Sequence, residues 1–222
     1  ERVGEQGARR VLDIGSGVGG LMRLGAAHGL EMIGVDITHG LNRLNHALSR
    51  MCESRPASWP VTGDAARLPL CDDSVDAVIF QHILMNVMDD RSALDEARRV
   101  LKPSGVLVMH EVISGPQVEE MRYPVPWSGD GRHSCLMTAR TLRARLEAAG
   151  FTVTRMHDQT EAARAWRARQ TGKERSGRSA AAALSPALVF GETFTTMGRN
   201  LLHNLEAGAI GIIEVEAGTS PD

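Results

Sequence analysis

This sequence predicts an α/β fold: a mostly parallel sheet with helices on both faces. Three observations carry that prediction. Short apolar runs alternate with helix-period stretches through the first two thirds of the chain. A glycine-rich turn separates the first run from the first helical stretch. An acidic residue closes the second run.

The strands are expected at 10–14 (RVLDI), 31–36 (EMIGVD), 58–62 (SWPVT), 75–80 (VDAVIF) and 105–112 (GVLVMHEV). Each is short and mostly apolar, as a strand covered on both faces should be. Helices are expected between them, at 19–28, 41–53 and 91–101. In the last, Leu94, Ala97, Arg98 and Leu101 share a stripe, and Arg98 is a polar member that can snorkel. Next comes a helix at 138–149, with Thr138 as N-cap and Gly150 as stop. A strand at 151–157 and a helical stretch to about 170 follow. Residues 171–179 (TGKERSGRS) are polar and basic and read as a mobile loop. A helix at 186–206, with Phe190, Phe194, Met197 and Leu201 as core, and a strand at 209–216 close the chain. The whole of 1–222 reads as one domain. Its segments 113–137 and 160–207 are too long for plain connections and are expected to build a ligand pocket.

Composition narrows the partners. The chain has 222 residues, 42% hydrophobic and 23% charged, which excludes general disorder. No apolar run approaches the roughly 20 residues of a membrane span, so no membrane partner is expected. A net charge of −2 and a pI near 6.5 argue against a nucleic-acid binder. Cys52, Cys71 and Cys135 form no CxxC pair, so neither a metal site nor a redox dithiol is expected. Scattered cysteines and a charged start without an apolar core suggest a reducing cytoplasm. The first residue is not Met, so the natural chain is expected to start upstream. A homo-oligomer is compatible with all of this.

The strongest local signal is Asp13-Ile14-Gly15-Ser16-Gly17-Val18-Gly19-Gly20. Glycines let the backbone turn tightly and approach a ligand closely. The helix that follows offers free N–H groups. Asp36 ends the next strand, where a carboxylate can accept from a ribose diol. The loop parses as GxGxxG, suiting a dinucleotide, or as DxGxGxG, suiting S-adenosylmethionine.

A third segment separates the two parsings. The order VLDIGSGVGG, VDIT, GDAARLPL, DDSVDAVIF, EARRVLKPSG resembles the class I S-adenosylmethionine-dependent methyltransferases, over about residues 9–112. The resemblance extends to a small-molecule branch, similar to ubiquinone/menaquinone-type and sarcosine/dimethylglycine-type enzymes. It implies a Rossmann-like, seven-stranded sheet whose last strand is antiparallel. It implies that Asp13 and the loop Gly15, Ser16, Gly17 and Gly19 hold the methionine part of the cofactor. Asp36 would hold the ribose, Ile37 the adenine face, Asp64 and the Ala65 backbone the adenine edge, and Gln81 would lie near the reacting methyl. Relatives usually carry helices ahead of the first strand that help roof the cofactor, whereas about ten residues precede it here.

For the acceptor, His82, His110 and His133 are candidates to take or position a proton, and each has an ordinary structural alternative. Met85 and Asn86 follow the fourth strand, and Tyr123 and Trp127 concentrate aromatic surface in the first insertion. Such a wall suits a flat ring or a cation, or else simply clips the insertion down. The run Arg164 to Arg178 reads as a solvated face. The expected activity is methyl transfer to N, O or C of a small-molecule acceptor. The competing readings are a non-catalytic S-adenosylmethionine sensor or scaffold, and an NAD-dependent oxidoreductase.

Overall fold

A computed structural model describes residues 7–52, 58–175 and 191–219. It contains one seven-stranded sheet in the order β3-β2-β1-β4-β5-β7-β6. The strands are β1 (Arg10–Ile14), β2 (Glu31–Asp36), β3 (Ser58–Thr62), β4 (Val75–Gln81), β5 (Leu101–Ser114), β6 (Phe151–Asp158) and β7 (Ile210–Thr219). The helices are α1 (Gly20–Ala27), α2 (His39–Arg50), α3 (Asp90–Val100), α4 (Ala139–Ala148), α5 (Thr160–Arg175) and α6 (Phe194–Glu206). β1 pairs in parallel with β2 and β4, and β4 with β5. β7 runs antiparallel between β5 and β6. The fold class and the antiparallel last strand are therefore as the sequence predicts.

Strand alternation divides the core between the two faces. Leu12 and Ile14 of β1 join Phe80, Leu94, Leu107 and Met109 on one face. Val11 joins Met22, Met32 and Ala77 on the other. A third cluster holds Met85, Val112, Leu205, Ile210 and Ile212 beneath the two insertions. Thr138 caps α4 by accepting from the Thr141 N–H at 3.1 Å, and Gly150 stops it at φ +83°. Asp89 caps α3, accepting from the Ser92 N–H at 3.1 Å.

Several expected boundaries are corrected. The segment read as a mobile loop from 171 is helical to Arg175, because Thr171 is buried and its Oγ1 accepts from Arg167 Nε at 3.1 Å one turn back. Residues 176–179 of that reading lie outside the described residues, as do 186–190 of the last helix with Phe190. The described part of that helix begins at Phe194, after a 3-10 turn at Gly191–Thr193. Arg167 is not on a solvated face: it is buried with its guanidinium beside Gly198 of α6. Arg164 does face outward, paired with Glu161 at 2.6 Å.

Candidate active site

Two adjoining cavities open at the carboxyl ends of the parallel strands, where α/β sheets bind ligands. The smaller, about 330 Å³, lies over β1, β2 and β3. It is lined by Ile14 and Gly15 from the first turn and by Gly63 to Ala66 after β3. Gly15, Gly17 and Gly19 all have positive φ, at 74°, 52° and 74°, which L side chains rarely adopt. Gly15 leaves room for Ile83, since a Cβ there would come within 2.4 Å of that side chain. Above Gly17 there is open space, with nothing within 4 Å of where a Cβ would stand.

Asp36 organises this region. Its Oδ2 accepts from the Gly17 N–H at 2.9 Å and its Oδ1 from the Thr38 N–H at 2.8 Å. Asn42 ties the strand end in place, donating to the Asp36 carbonyl at 2.9 Å. Each carboxylate oxygen keeps lone pairs for further donors. Asp64 sits at the rim, its Oδ1 accepting from the Ala66 N–H at 2.9 Å. Ile37 and Met88 line the mouth at 72% and 75% exposure, an apolar lip open to a flat ring. Asp13 lies behind the turn, buried; burial, then the nearby Asp36, pushes its carboxyl up to about 7. Ser16 is buried with a hydroxyl that finds no partner among the described residues. Asp13, Ser16, Gly17 and Gly19 shape the turn without lining the cavity, whereas Gly15, Asp36, Ile37, Asp64 and Ala65 line it directly.

The larger cavity, about 590 Å³, is walled by Trp127, Trp166, Leu201, Leu205 and Ile212. Gln81, His82, His110, Gln159 and Arg167 supply polar groups, and Met85 also lines it. Asn86 borders both cavities. His82 Nε2 and His110 Nδ1 stand 2.7 Å apart, with the ring planes within 15°. Desolvation at the cavity wall, then His110, pulls the His82 imidazole down to about 4. Desolvation also lowers His110, opposed by Glu214 on β7. Both rings are therefore neutral near pH 7. In either tautomer one N–H fills the shared contact and one outer nitrogen stays bare.

The structure does not bring every predicted acceptor residue here. His133 is exposed and lines neither cavity. Tyr123 also lines neither: its hydroxyl contacts Met121 Sδ at 3.3 Å and its ring lies over Gly131. Trp127 does reach the cavity, held by its Nε1–H donating to Ser134 Oγ at 2.9 Å. Leu201, read as plain core, is cavity wall as well. Sequence reasoning missed Ile83, Met88, Gln159, Trp166 and Arg167. A tryptophan beside an arginine in an otherwise basic run was the available signal.

The sheet order and the glycine turn define a Rossmann-like α/β domain. Residues 12–109 match the family model described as a methyltransferase domain. The demethylmenaquinone methyltransferase of Renibacterium salmoninarum is 35% identical over 111 residues, covering 50% of this chain and 44% of that enzyme. The chain spans under half the length of the curated relatives it matches. Among solved structures, phosphoethanolamine N-methyltransferase 2 of Haemonchus contortus with S-adenosyl-L-methionine aligns at TM-score 0.79. That alignment has 16% identity and covers 96% of this chain and 49% of that one. The [4+2]-cyclase SpnF aligns at TM-score 0.72 and 21% identity, covering 96% of this chain and 76% of that one. Over residues 12–109 the chain is similar to the class I S-adenosylmethionine-dependent methyltransferases. The cyclase is a reminder that this fold alone does not fix the reaction.

Proposed function

We propose that this chain methylates a small molecule held in the larger cavity, with S-adenosylmethionine in the smaller one. The observation that carries the reading is the junction of the two cavities at Asn86, flanked by Gln81 and His82. The residues present fit the cofactor: bare main chain at Gly15, open space at Gly17, two rim carboxylates and an apolar lip. In this reading Asp36 accepts from the ribose and Asp64 and the Ala65 N–H meet the adenine edge, with Ile37 on its face. Asp13, Ser16, Gly17 and Gly19 shape the methionine end, and Gln81 faces the methyl. When bound, S-adenosylmethionine supplies a methyl carbon that is already electrophilic, so the protein needs to align and to exclude water.

The acceptor wall supports a flat, largely apolar substrate carrying a hydroxyl. Two indoles and the branched aliphatic side chains of Val112, Leu201, Leu205 and Ile212 dominate it, and no carboxylate lines it among the described residues to hold an ammonium. A bare imidazole nitrogen can accept a hydrogen bond from that hydroxyl. A ring held at about 4 is too weak a base to store a proton near neutrality, so His82 and His110 orient the acceptor. Met85, Asn86 and Trp127 shape the wall; Tyr123 and His133 are left out of it.

The chain acts as one domain in this reading, its two insertions closing the acceptor side. No helix among the described residues is long and apolar enough to cross a membrane. A cytoplasmic setting, no nucleic-acid partner and self-association as an option complete the reading. The test is calorimetric titration with S-adenosylhomocysteine and with NAD, then a mass-spectrometric methylation screen over phenols, quinols, carboxylates and amines. Binding of S-adenosylhomocysteine with methylated hydroxyl aromatics is expected. Binding without turnover of any acceptor favours the sensor or scaffold, and NAD binding alone overturns both.

A further inference from the structure

The turn after β4 carries an unusual backbone. His82 has φ +55°, in the left-handed region that non-glycine residues rarely occupy. Ile83 follows at φ −122° and ψ −34°. The N–H groups of Ile83 and Leu84, which follow this residue, both point at one acceptor. The acceptor comes from the next strand. Glu111 of β5 is buried at 1% exposure. Its Oε1 accepts from the Ile83 N–H at 3.0 Å, and both its oxygens lie 3.3 Å from the Leu84 nitrogen. The His82 N–H also donates to the His110 carbonyl at 3.0 Å, closing the turn against β5.

That turn is the partition between the two cavities. Ile83 packs over Gly15 on the cofactor side. His82 faces the acceptor side, and Asn86, three residues on, borders both. We infer that Glu111 is a positioning residue, whose buried carboxylate holds the 82–84 turn in its strained form and so places His82 and Ile83 between cofactor and acceptor. This rests on the methyl-transfer reading for its catalytic meaning, but its geometric content stands alone.

A plain core role would call for an apolar side chain at this depth, since burying a carboxylate is costly unless its oxygens are matched by donors. Burial raises Glu111 to about 7 while the Ile83 and Leu84 N–H groups oppose the rise, the balance expected of an acid kept for its acceptor oxygens. Strained backbone persists only where the surroundings over-determine it, and Glu111 is the group that does so here.

The test uses Glu111→Gln, which keeps the shape and one acceptor oxygen, with Glu111→Ala as the stronger variant. In the wild-type protein, slow amide exchange at Ile83 and Leu84 is expected. In Glu111→Gln, the 15N ring signals of His82 and His110 should move while the thermal transition stays cooperative. S-adenosylhomocysteine affinity should fall less than kcat, with kcat down on the order of 10- to 100-fold on any acceptor the wild type methylates. Rapid exchange at both amides in the wild type overturns the inference. So do unchanged imidazole signals in Glu111→Gln. If the wild type fails to bind S-adenosylhomocysteine, the functional reading fails, while the amide and imidazole measurements still judge Glu111.

Discussion

The two cavities are neighbours built by opposite means. The smaller cavity, the proposed cofactor side, is made by four short segments, all within the first 89 residues. The acceptor side draws side chains from six segments spread from Gln81 to Ile212. The matched family segment, 12–109, contains every segment of the first and only part of the second. In the proposed reading the smaller cavity serves any acceptor, and the larger one carries the specificity. The matched and unmatched parts of the chain follow that division.

The sharpest break of this comparison is Gly15→Val. The substitution forces a branched side chain onto φ +74° and into Ile83, and S-adenosylhomocysteine binding should be lost by more than about 100-fold in calorimetry. Asp36→Ala should follow. It removes the acceptor of two loop N–H groups as well as the proposed ribose contact, so affinity should fall about 10- to 100-fold. Retained affinity would remove Asp36 from the cofactor site. On the other side, Trp127→Ala and Trp166→Ala should each raise acceptor KM about tenfold and leave S-adenosylhomocysteine binding unchanged. A loss of cofactor affinity in these variants would mean that the cavities are not separable.

A smaller effect sharpens the electrostatics. Asp13, held up at about 7, is partly protonated near neutrality. A cationic ligand prefers its ionised form, so affinity for S-adenosylmethionine should rise as pH increases through about 7. Asp13→Asn should flatten that slope in titrations at pH 6 and 8. Without ligand the sign is opposite. A raised carboxyl favours the fold while protonated, so its contribution is full below the ordinary carboxylate range and lost as pH rises through about 7. The smallest effects belong to residues outside both cavities. His133→Ala and Tyr123→Phe should change kinetic constants by no more than about twofold.

The sequence alone determined what is encoded locally. A cluster of glycines between two elements declares a tight turn, apolar runs declare buried strands, and an acid at a strand end declares itself by spacing; β1, β2 and β3 therefore have the bounds expected of them. Tertiary structure decided what depends on register and packing. The β4–β5 pairing, with Gln81 opposite His110, brings His82 to His110 and Glu111 under the turn. The packing of α5 and α6 turns Trp166 and Arg167 from a basic helix face into cavity wall, whereas His133 lines neither cavity. Backbone conformation is a property of a residue and its neighbours, whereas a side-chain cavity exists only once distant elements are pressed together.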